Sequence, residues 1–251
     1  MHKKSICAIL VLVAALAAMP AGVHAASVDL ELALLVDVSG SIDSSEYNLQ
    51  MQGYVDAFNS PAVQNKIAAG NGIAVCMIQW SSLNLQSKVV DWTLLTDATS
   101  SAAFASQLAS VGRASSGMTA PGSAINVALS EFAADNGFEG TREVIDVSGD
   151  GSQNDGSSTA AARNAAAAAG ITINGLAIQN EEPTLGLWYE NNLKTSDGFV
   201  MVVDSFEDFD AAIQGKIISE VTGAVPEPMT MAAMFMGVAS LGGYIRKRRS
   251  A

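Results

Sequence analysis

Histidine and cysteine are nearly missing from this chain of 251 residues, and their scarcity excludes several kinds of active site. The two histidines are His2 and His24, and the two cysteines are Cys7 and Cys76. If residues 1–25 are removed, no imidazole remains for a Ser-His or Cys-His pair or for a histidine-based zinc site. Cys76 lies in an apolar run, which favours a buried hydrophobe over a reactive thiol. One remaining cysteine also excludes an internal disulfide.

Basic residues are also scarce in this chain. The chain has 13 Lys and Arg against 25 Asp and Glu, a formal charge of −12. Nucleic acid and anionic lipid are therefore poor partners, because both need clustered cations. Residues 26–225 alone hold seven basic and 24 acidic residues, a net of −17. This charge suits a soluble extracytoplasmic protein or a cation binder.

The first 25 residues are typical of a signal peptide. Lys3 and Lys4 precede an apolar run over residues 9–19, and Val23-His24-Ala25 offers the small-x-small pattern of a cleavage site. An uncleaved anchor is the alternative, but the apolar run is shorter than the roughly 20 residues of a spanning helix. We expect export with cleavage after Ala25.

The other end of the chain also has the composition of a sorting segment. Val225-Pro226-Glu227-Pro228 is followed by an uncharged stretch over residues 229–245 and a basic tail over 246–249. The stretch is just long enough for one transmembrane helix with its cations on the cytoplasmic side. A buried core helix with a basic tail is the alternative.

Residues 223–251 resemble the PEP-CTERM sorting signal of Gram-negative bacteria. The resemblance implies export through the inner membrane, transient anchoring there by the C-terminal helix, and processing by an exosortase. The final location would be the cell surface or the extracellular matrix. The chain then divides into a signal peptide (1–25), one domain (26–222) and the sorting signal (223–251).

Apolar runs alternate with amphipathic segments in the central domain. Val28 to Val38 is a nearly continuous run of Leu, Val and Ala with Asp29 and Glu31 near its start, which indicates a strand buried on both faces. Further strands are expected at 73–80, 88–94, 142–147, 171–178 and 198–203. Helices are expected from Ser44 until Pro61 interrupts, and at 102–108, 123–132, 157–169, 185–193 and 206–221. The pattern predicts an α/β fold with a doubly wound, mostly parallel sheet flanked by helices.

Oxygen-rich turns follow three of these elements. Asp37-Val38-Ser39-Gly40-Ser41 ends the first strand, Thr119 lies in a Gly-rich loop before a helix, and Asp150 follows a later strand. Ligands of open sheets bind outside the carboxyl ends of the strands, where these turns would meet. A carboxylate and hydroxyls suit Mg²⁺, with Mn²⁺ or Ca²⁺ as alternatives. A helix-capping turn is the bland alternative for the first motif.

Together these turns resemble the metal-ion-dependent adhesion site (MIDAS) of von Willebrand factor A (VWA) domains, over roughly residues 27–222. The Asp-x-Ser-x-Ser motif corresponds to Asp37, Ser39 and Ser41, the distant Thr to Thr119, and the later Asp to Asp150. The resemblance implies that the hydroxyls bind the metal directly and that an Asp acts through water. The turn around Asp150 departs from the usual Thr-Asp-Gly, which leaves Asp146 as an alternative.

Three functions are compatible with these residues. The first is a non-enzymatic, Mg²⁺-dependent adhesion module that binds a carboxylate of a protein partner. The second is a structural matrix protein with a vestigial metal site. The third is a metal-dependent hydrolase, which is disfavoured because no Gly-x-Ser-x-Gly elbow is present and only Asp or Glu remains as a base.

Overall fold

The computed structural model describes residues 25–225, which form an α/β fold. The strands of this part are β1 (Ala26–Val28), β2 (Leu30–Asp37), β3 (Ile73–Trp80), β4 (Gln86–Leu95), β5 (Phe138–Gly140), β6 (Glu143–Gly149), β7 (Thr172–Ile178) and β8 (Val200–Val203). Its α-helices are α1 (Ser44–Asn59), α2 (Pro61–Ala68), α3 (Ala98–Leu108), α4 (Pro121–Ala133), α5 (Thr159–Ala169), α6 (Leu185–Asn192) and α7 (Phe209–Thr222).

Six of the strands form one sheet in the order β4-β3-β2-β6-β7-β8. Every neighbouring pair is parallel except β3 with β4, so the antiparallel strand lies at an edge. The predicted α/β class and mostly parallel sheet are confirmed. The separate parallel pair of β1 with β5 was not predicted, because both strands have only three residues.

Both faces of the sheet are covered, as the mostly apolar sequence of β2 predicts. Leu32 and Leu34 pack into a core that includes side chains of α1, α3 and α7. Ala33 and Leu35 point the other way, into a core with side chains of α4, α5 and α6. All eight residues of β2 are buried, so the strand holds the loop that follows it in a fixed position.

The start of α1 is fixed by a capping box. Asp43 Oδ1 accepts the N–H groups of Ser45 and Glu46, and Glu46 Oε2 accepts the N–H of Asp43. The cap is therefore Asp43, one residue before the segment Ser44-Ser45-Glu46 in which the sequence predicts it. Pro61 ends α1 as expected but also begins α2, because proline is well accommodated in the first turn of a helix.

Strand β2 lies at the point where the winding of the sheet reverses. Its neighbours are β3, the next strand of the sheet along the chain, and β6, which begins the other half. The loops that leave β2 and β6 therefore diverge and open a crevice between them, the usual ligand site of such sheets.

The described residues contain no helix that combines enough length with enough apolar character to cross a bilayer. The predicted transmembrane stretch (229–245), the basic tail and the signal peptide up to residue 24 lie outside the described residues.

Candidate metal centre

The loop after β2 folds back on itself around Asp37. Asp37 Oδ1 accepts the N–H of Ser39 at 2.7 Å, a turn closed by the aspartate side chain. Asp37 and Ser39 are both fully buried. Ser39 Oγ lies 3.2 Å from Ser41 Oγ, so the two hydroxyls point toward the same place. The alternate spacing of the motif thus places three oxygen-bearing side chains on one side of the loop.

Asp150 joins this group from the end of β6. Ser41 Oγ donates a hydrogen bond to Asp150 Oδ1 at 2.8 Å. Asp150 is 3% exposed, and it stands just beyond Gly149, the last residue of the strand. Although the turn around Asp150 differs from the usual Thr-Asp-Gly, the Asp150 carboxylate still contacts the Asp37 loop.

Thr119 is brought to the same edge by the loop before α4. Its N–H donates to Asn154 Oδ1 at 2.7 Å, and its carbonyl accepts the N–H groups of Asn154 and Asp155. A second contact joins this loop to the Asp37 loop, since the N–H of Gly40 donates to the carbonyl of Gly117 at 2.7 Å. Two loops distant in sequence are therefore held at fixed positions around the crevice.

An open pocket of about 310 Å³ lies where these loops meet. Ser41, Thr119 and Asp150 line it, and so do Glu181 and Glu182. Asp37 and Ser39 are buried beside it. Of the five predicted ligands, the structure thus links Asp37, Ser39, Ser41 and Asp150 through a chain of short contacts, and places Thr119 on the wall of the same pocket.

Two carboxylate oxygens at this site lack partners. Asp37 Oδ2 and Asp150 Oδ2 are buried without a hydrogen bond to any of residues 25–225. Burial and the nearby charge of Asp150 raise the pKa of Asp37 to about 8. Burial also raises the pKa of Asp150, with Glu46 and Glu181 adding to it, although the hydrogen bond from Ser41 opposes the shift. Two buried carboxyl groups that repel each other, each with a free oxygen, are the arrangement that a divalent cation stabilises.

Arg113, which was not predicted as a functional residue, braces the Asp37 loop. Its Nη2 donates to the carbonyls of Val38 and Ser39 at 2.8 and 2.7 Å, and its Nε donates to the carbonyl of Ser115 at 3.1 Å. The guanidinium also lies 5.9 Å from the ring centre of Tyr47. One side chain therefore fastens the Asp37 loop to the loop before α4, and no motif in the sequence marks it.

Tyr189 and Gly149 are two further residues that the sequence did not indicate. A Cβ added at Gly149 would lie 2.7 Å from Asp37 Oδ2 and 2.9 Å from the Tyr189 hydroxyl. The hydroxyl has no hydrogen-bond partner in the described part of the chain. Burial and the charge of Asp37 raise the pKa of Tyr189 well above its ordinary value. Glycine is needed at position 149 so that the carboxylate and the hydroxyl can approach the strand backbone.

The alternative ligand Asp146 lies elsewhere. It is fully buried, and Lys216 Nζ is 2.6 Å from its Oδ1. Within residues 25–225, no three side chains of His, Cys, Asp and Glu come together as a metal-binding group. The candidate centre differs from such a cluster, because three of its five predicted ligands are hydroxyls.

Solved structures share this fold. Proximal thread matrix protein 1 from the mussel byssus superposes with a TM-score of 0.60 at 14% identity, over 78% of this chain and 48% of that one. A structure of the same protein with a zinc-occupied MIDAS motif gives 0.55 and 19%, over 78% and 46%. A von Willebrand factor type A structure from Catenulispora acidiphila gives 0.56 and 15%, over 78% and 43%.

The pilus adhesin SpaC of Lactobacillus rhamnosus GG, in its open conformation, gives a TM-score of 0.57 at 16% identity, over 77% of this chain and 30% of that one. The chain therefore spans less than half the length of each of these proteins. At such identities the likeness shows the fold, which is that of a VWA domain. Among curated proteins, none matches the chain in sequence.

A family model matches residues 27–225, almost the whole of the described domain. The family is described as a protein of unknown function, so the match assigns no activity. The boundaries agree closely with those of the sheet and its helices. The chain therefore belongs to this family, DUF1194.

Proposed function

We propose that this protein is an exported, non-enzymatic binding module that holds Mg²⁺ and uses it to bind an acidic group of a protein partner. The ligands would be Asp37, Ser39, Ser41, Thr119 and Asp150. The observation that carries the proposal is the pair of buried carboxylate oxygens, Asp37 Oδ2 and Asp150 Oδ2, that have no hydrogen-bond partner among residues 25–225. An unpartnered buried carboxylate is costly, and a cation beside it removes the cost.

The chemistry of the ligand set favours magnesium. Hydroxyl and carboxylate oxygens are hard ligands, and Mg²⁺ commonly keeps water at its remaining positions. The open pocket beside Ser41, Thr119 and Asp150 leaves room for such water or for a partner's side chain. Because three of the five ligands are neutral hydroxyls, the negative charge of the ligands does not exceed the positive charge of the ion. An open coordination position can therefore still accept a carboxylate from outside.

The surroundings of the pocket restrict the partner. Glu181 and Glu182 line it, and the charge of Glu46 is felt at Asp150. An acidic partner must approach through this negative rim. We therefore expect a single carboxylate flanked by neutral or basic residues, rather than a strongly acidic segment.

The cell surface or extracellular matrix is the proposed location. The solved structures of the same fold include a byssus matrix protein and a pilus adhesin, which are proteins of such places. Export by a signal peptide, brief anchoring by the C-terminal helix and exosortase processing belong to the same proposal, and rest on the sequence of the two ends.

Thermal unfolding of the purified chain in Mg²⁺ and in EDTA tests the metal site. We expect Mg²⁺ to raise the melting temperature of the wild type and to leave that of Ser39→Ala unchanged. Ser110→Ala is the matched control, because Ser110 is exposed and its hydroxyl contacts only the carbonyl of Ser106 on α3. Equal Mg²⁺-induced shifts in Ser39→Ala and Ser110→Ala would contradict the proposal.

Isothermal titration distinguishes adhesion from a purely structural matrix role. Mg²⁺ binding followed by capture of a partner from native matrix, reversed by EDTA, supports the adhesion module. Absence of divalent-ion binding in the wild type would instead favour a matrix protein with a vestigial site.

A further inference from the structure

A lysine is buried between two carboxylates in the core, on the side of the sheet covered by α1 and α7. Lys216 Nζ lies 2.6 Å from Asp146 Oδ1 and 2.6 Å from Glu220 Oε1. The side chains of all three residues are 0% exposed. Lys216 and Glu220 stand one turn apart on α7, whereas Asp146 belongs to the central strand β6. The candidate metal centre uses none of them.

The contact between Lys216 and Asp146 is not an aligned hydrogen bond. Lys216 Nζ donates to Glu220 Oε1, but neither oxygen of Asp146 has a hydrogen-bond partner within residues 25–225. Nζ nevertheless lies 2.6 Å from Asp146 Oδ1, so the amine and the carboxyl group are in direct contact.

Burial makes charged groups costly at this site. Asn174 Nδ2 donates to Glu220 Oε1 at 3.0 Å, and the ring centre of Phe199 lies 5.6 Å from Nζ. One ammonium facing two carboxylates leaves a net negative charge in the buried core, an arrangement disfavoured by desolvation. Burial and the Asp146 carboxylate raise the pKa of Glu220 to about 7, so this group exchanges a proton readily near neutral pH.

We propose that Lys216 and Asp146 are joined by an intramolecular isopeptide bond. A proton moves from the Lys216 ammonium to the Asp146 carboxylate, and Nζ then attacks Cγ of the resulting carboxyl group. The Nζ–Cγ bond forms, the bond from Cγ to one oxygen breaks, and that oxygen leaves as water. Glu220 takes a proton from Nζ and passes it to the leaving oxygen. No oxidant, reductant or cofactor is needed, since one amine and one acid give one amide and one water.

The amide removes the two buried charges of the pair, and its N–H remains beside Glu220 Oε1. It would tie the last helix of the domain to the central strand that ends at Gly149, next to Asp150. Within residues 25–225 the only cysteine is Cys76, which is free and buried, so no disulfide strengthens this part of the chain. A cross-link between residues 146 and 216 restricts the unfolded chain as a disulfide does, and reductants do not cleave it.

Mass spectrometry of the purified, fully denatured chain tests the proposal. We expect wild type and Lys66→Met to be lighter than their sequences by the mass of one water, and Lys216→Met to have its sequence mass. Lys66 is the matched control because it is exposed near the end of α2. Tandem mass spectra of a digest should contain a branched peptide that holds both Asp146 and Lys216.

Each other outcome overturns part of the proposal. If the wild type has its full sequence mass, the bond is excluded. This measurement does not depend on whether any variant folds. Loss of ammonia in place of water assigns the link to Asn174 and overturns the role of Asp146. Complete cross-linking in Glu220→Gln overturns the proton transfer by Glu220. Since denatured mass does not depend on metal, the result is independent of the proposed magnesium site.

Discussion

Ser41 donates a hydrogen bond to Asp150 at 2.8 Å across 109 positions of the sequence. This contact joins the loop after β2 to the loop after β6, the two strands on either side of the winding reversal. Ser39 and Asp37 continue the chain of contacts into the core. The proposed metal ligands therefore depend on the relative position of two strands as well as on one motif.

Gly149→Ala should disable the site while Gly112→Ala should not. An added Cβ at Gly149 would lie 2.7 Å from Asp37 Oδ2, closer than atoms tolerate, so the carboxylate must move. We expect a loss of about 1–3 kcal/mol in the free energy of unfolding, typical of overpacking, and loss of the Mg²⁺-induced thermal shift. A Cβ at Gly112 meets nothing within 4 Å. Denaturant unfolding with and without Mg²⁺ measures both effects, and equal behaviour of the two variants would refute this prediction.

Arg113→Lys should weaken Mg²⁺ binding about tenfold, because an ammonium cannot span the carbonyls of Val38, Ser39 and Ser115 as the guanidinium does. Loss of one charged hydrogen bond, about 1.5 kcal/mol, corresponds to such a factor. Isothermal titration measures it. Arg163→Lys is the control, since Arg163 is on α5 and contacts Asn164 and Asn191. An unchanged affinity in Arg113→Lys would show that the loop keeps its shape without this brace.

In EDTA, stability should fall as the pH rises. The pKa of Asp37 in the folded chain is about 8, above its ordinary 3.8, so the folded chain holds a proton that the unfolded chain has released. Unfolding is then favoured increasingly as pH rises from about 4 to 8. Asp37→Asn should flatten this dependence, whereas Asp135→Asn, an exposed change, should preserve it. Melting temperatures measured across this pH range test the prediction. If the melting temperature changes equally with pH in the wild type and in Asp37→Asn, Asp37 is excluded as the source of the dependence.

The acidic rim should strengthen metal binding through space. Replacing both Glu181 and Glu182 by Gln removes two negative charges from the pocket wall. We expect Mg²⁺ affinity to fall on the order of threefold at low salt and less at high salt, because the interaction is screened. Glu207→Gln, exposed at the start of the last helical segment, serves as control. A loss of Mg²⁺ affinity that does not depend on salt would instead indicate a structural effect. The hydrogen bond from the N–H of Ser152 to Glu182 is the contact whose loss would explain it.

The strands and helices could be predicted closely from the sequence because their burial is periodic or continuous. The predicted strand at residues 73–80 is β3 residue for residue, and Gly170 ends α5 in the left-handed conformation, with φ of 81°. The short strands β1 and β5 and the helix α2 were missed. Three residues are too few for a periodic pattern, and Pro61 was interpreted as an interruption alone.

The sequence by itself determined the class of the fold and the identity of the candidate ligands. Continuous apolar runs require a sheet covered on both faces, and the alternate spacing of Asp37, Ser39 and Ser41 places their oxygens on one side of a turn. Only the tertiary structure decided that Asp150 meets this loop and that Asp146 is paired with Lys216 on α7. The tertiary structure alone also shows the contacts of Arg113, Gly149 and Tyr189 at the site. Contacts between residues far apart in the chain depend on strand order and helix packing, which local patterns do not encode.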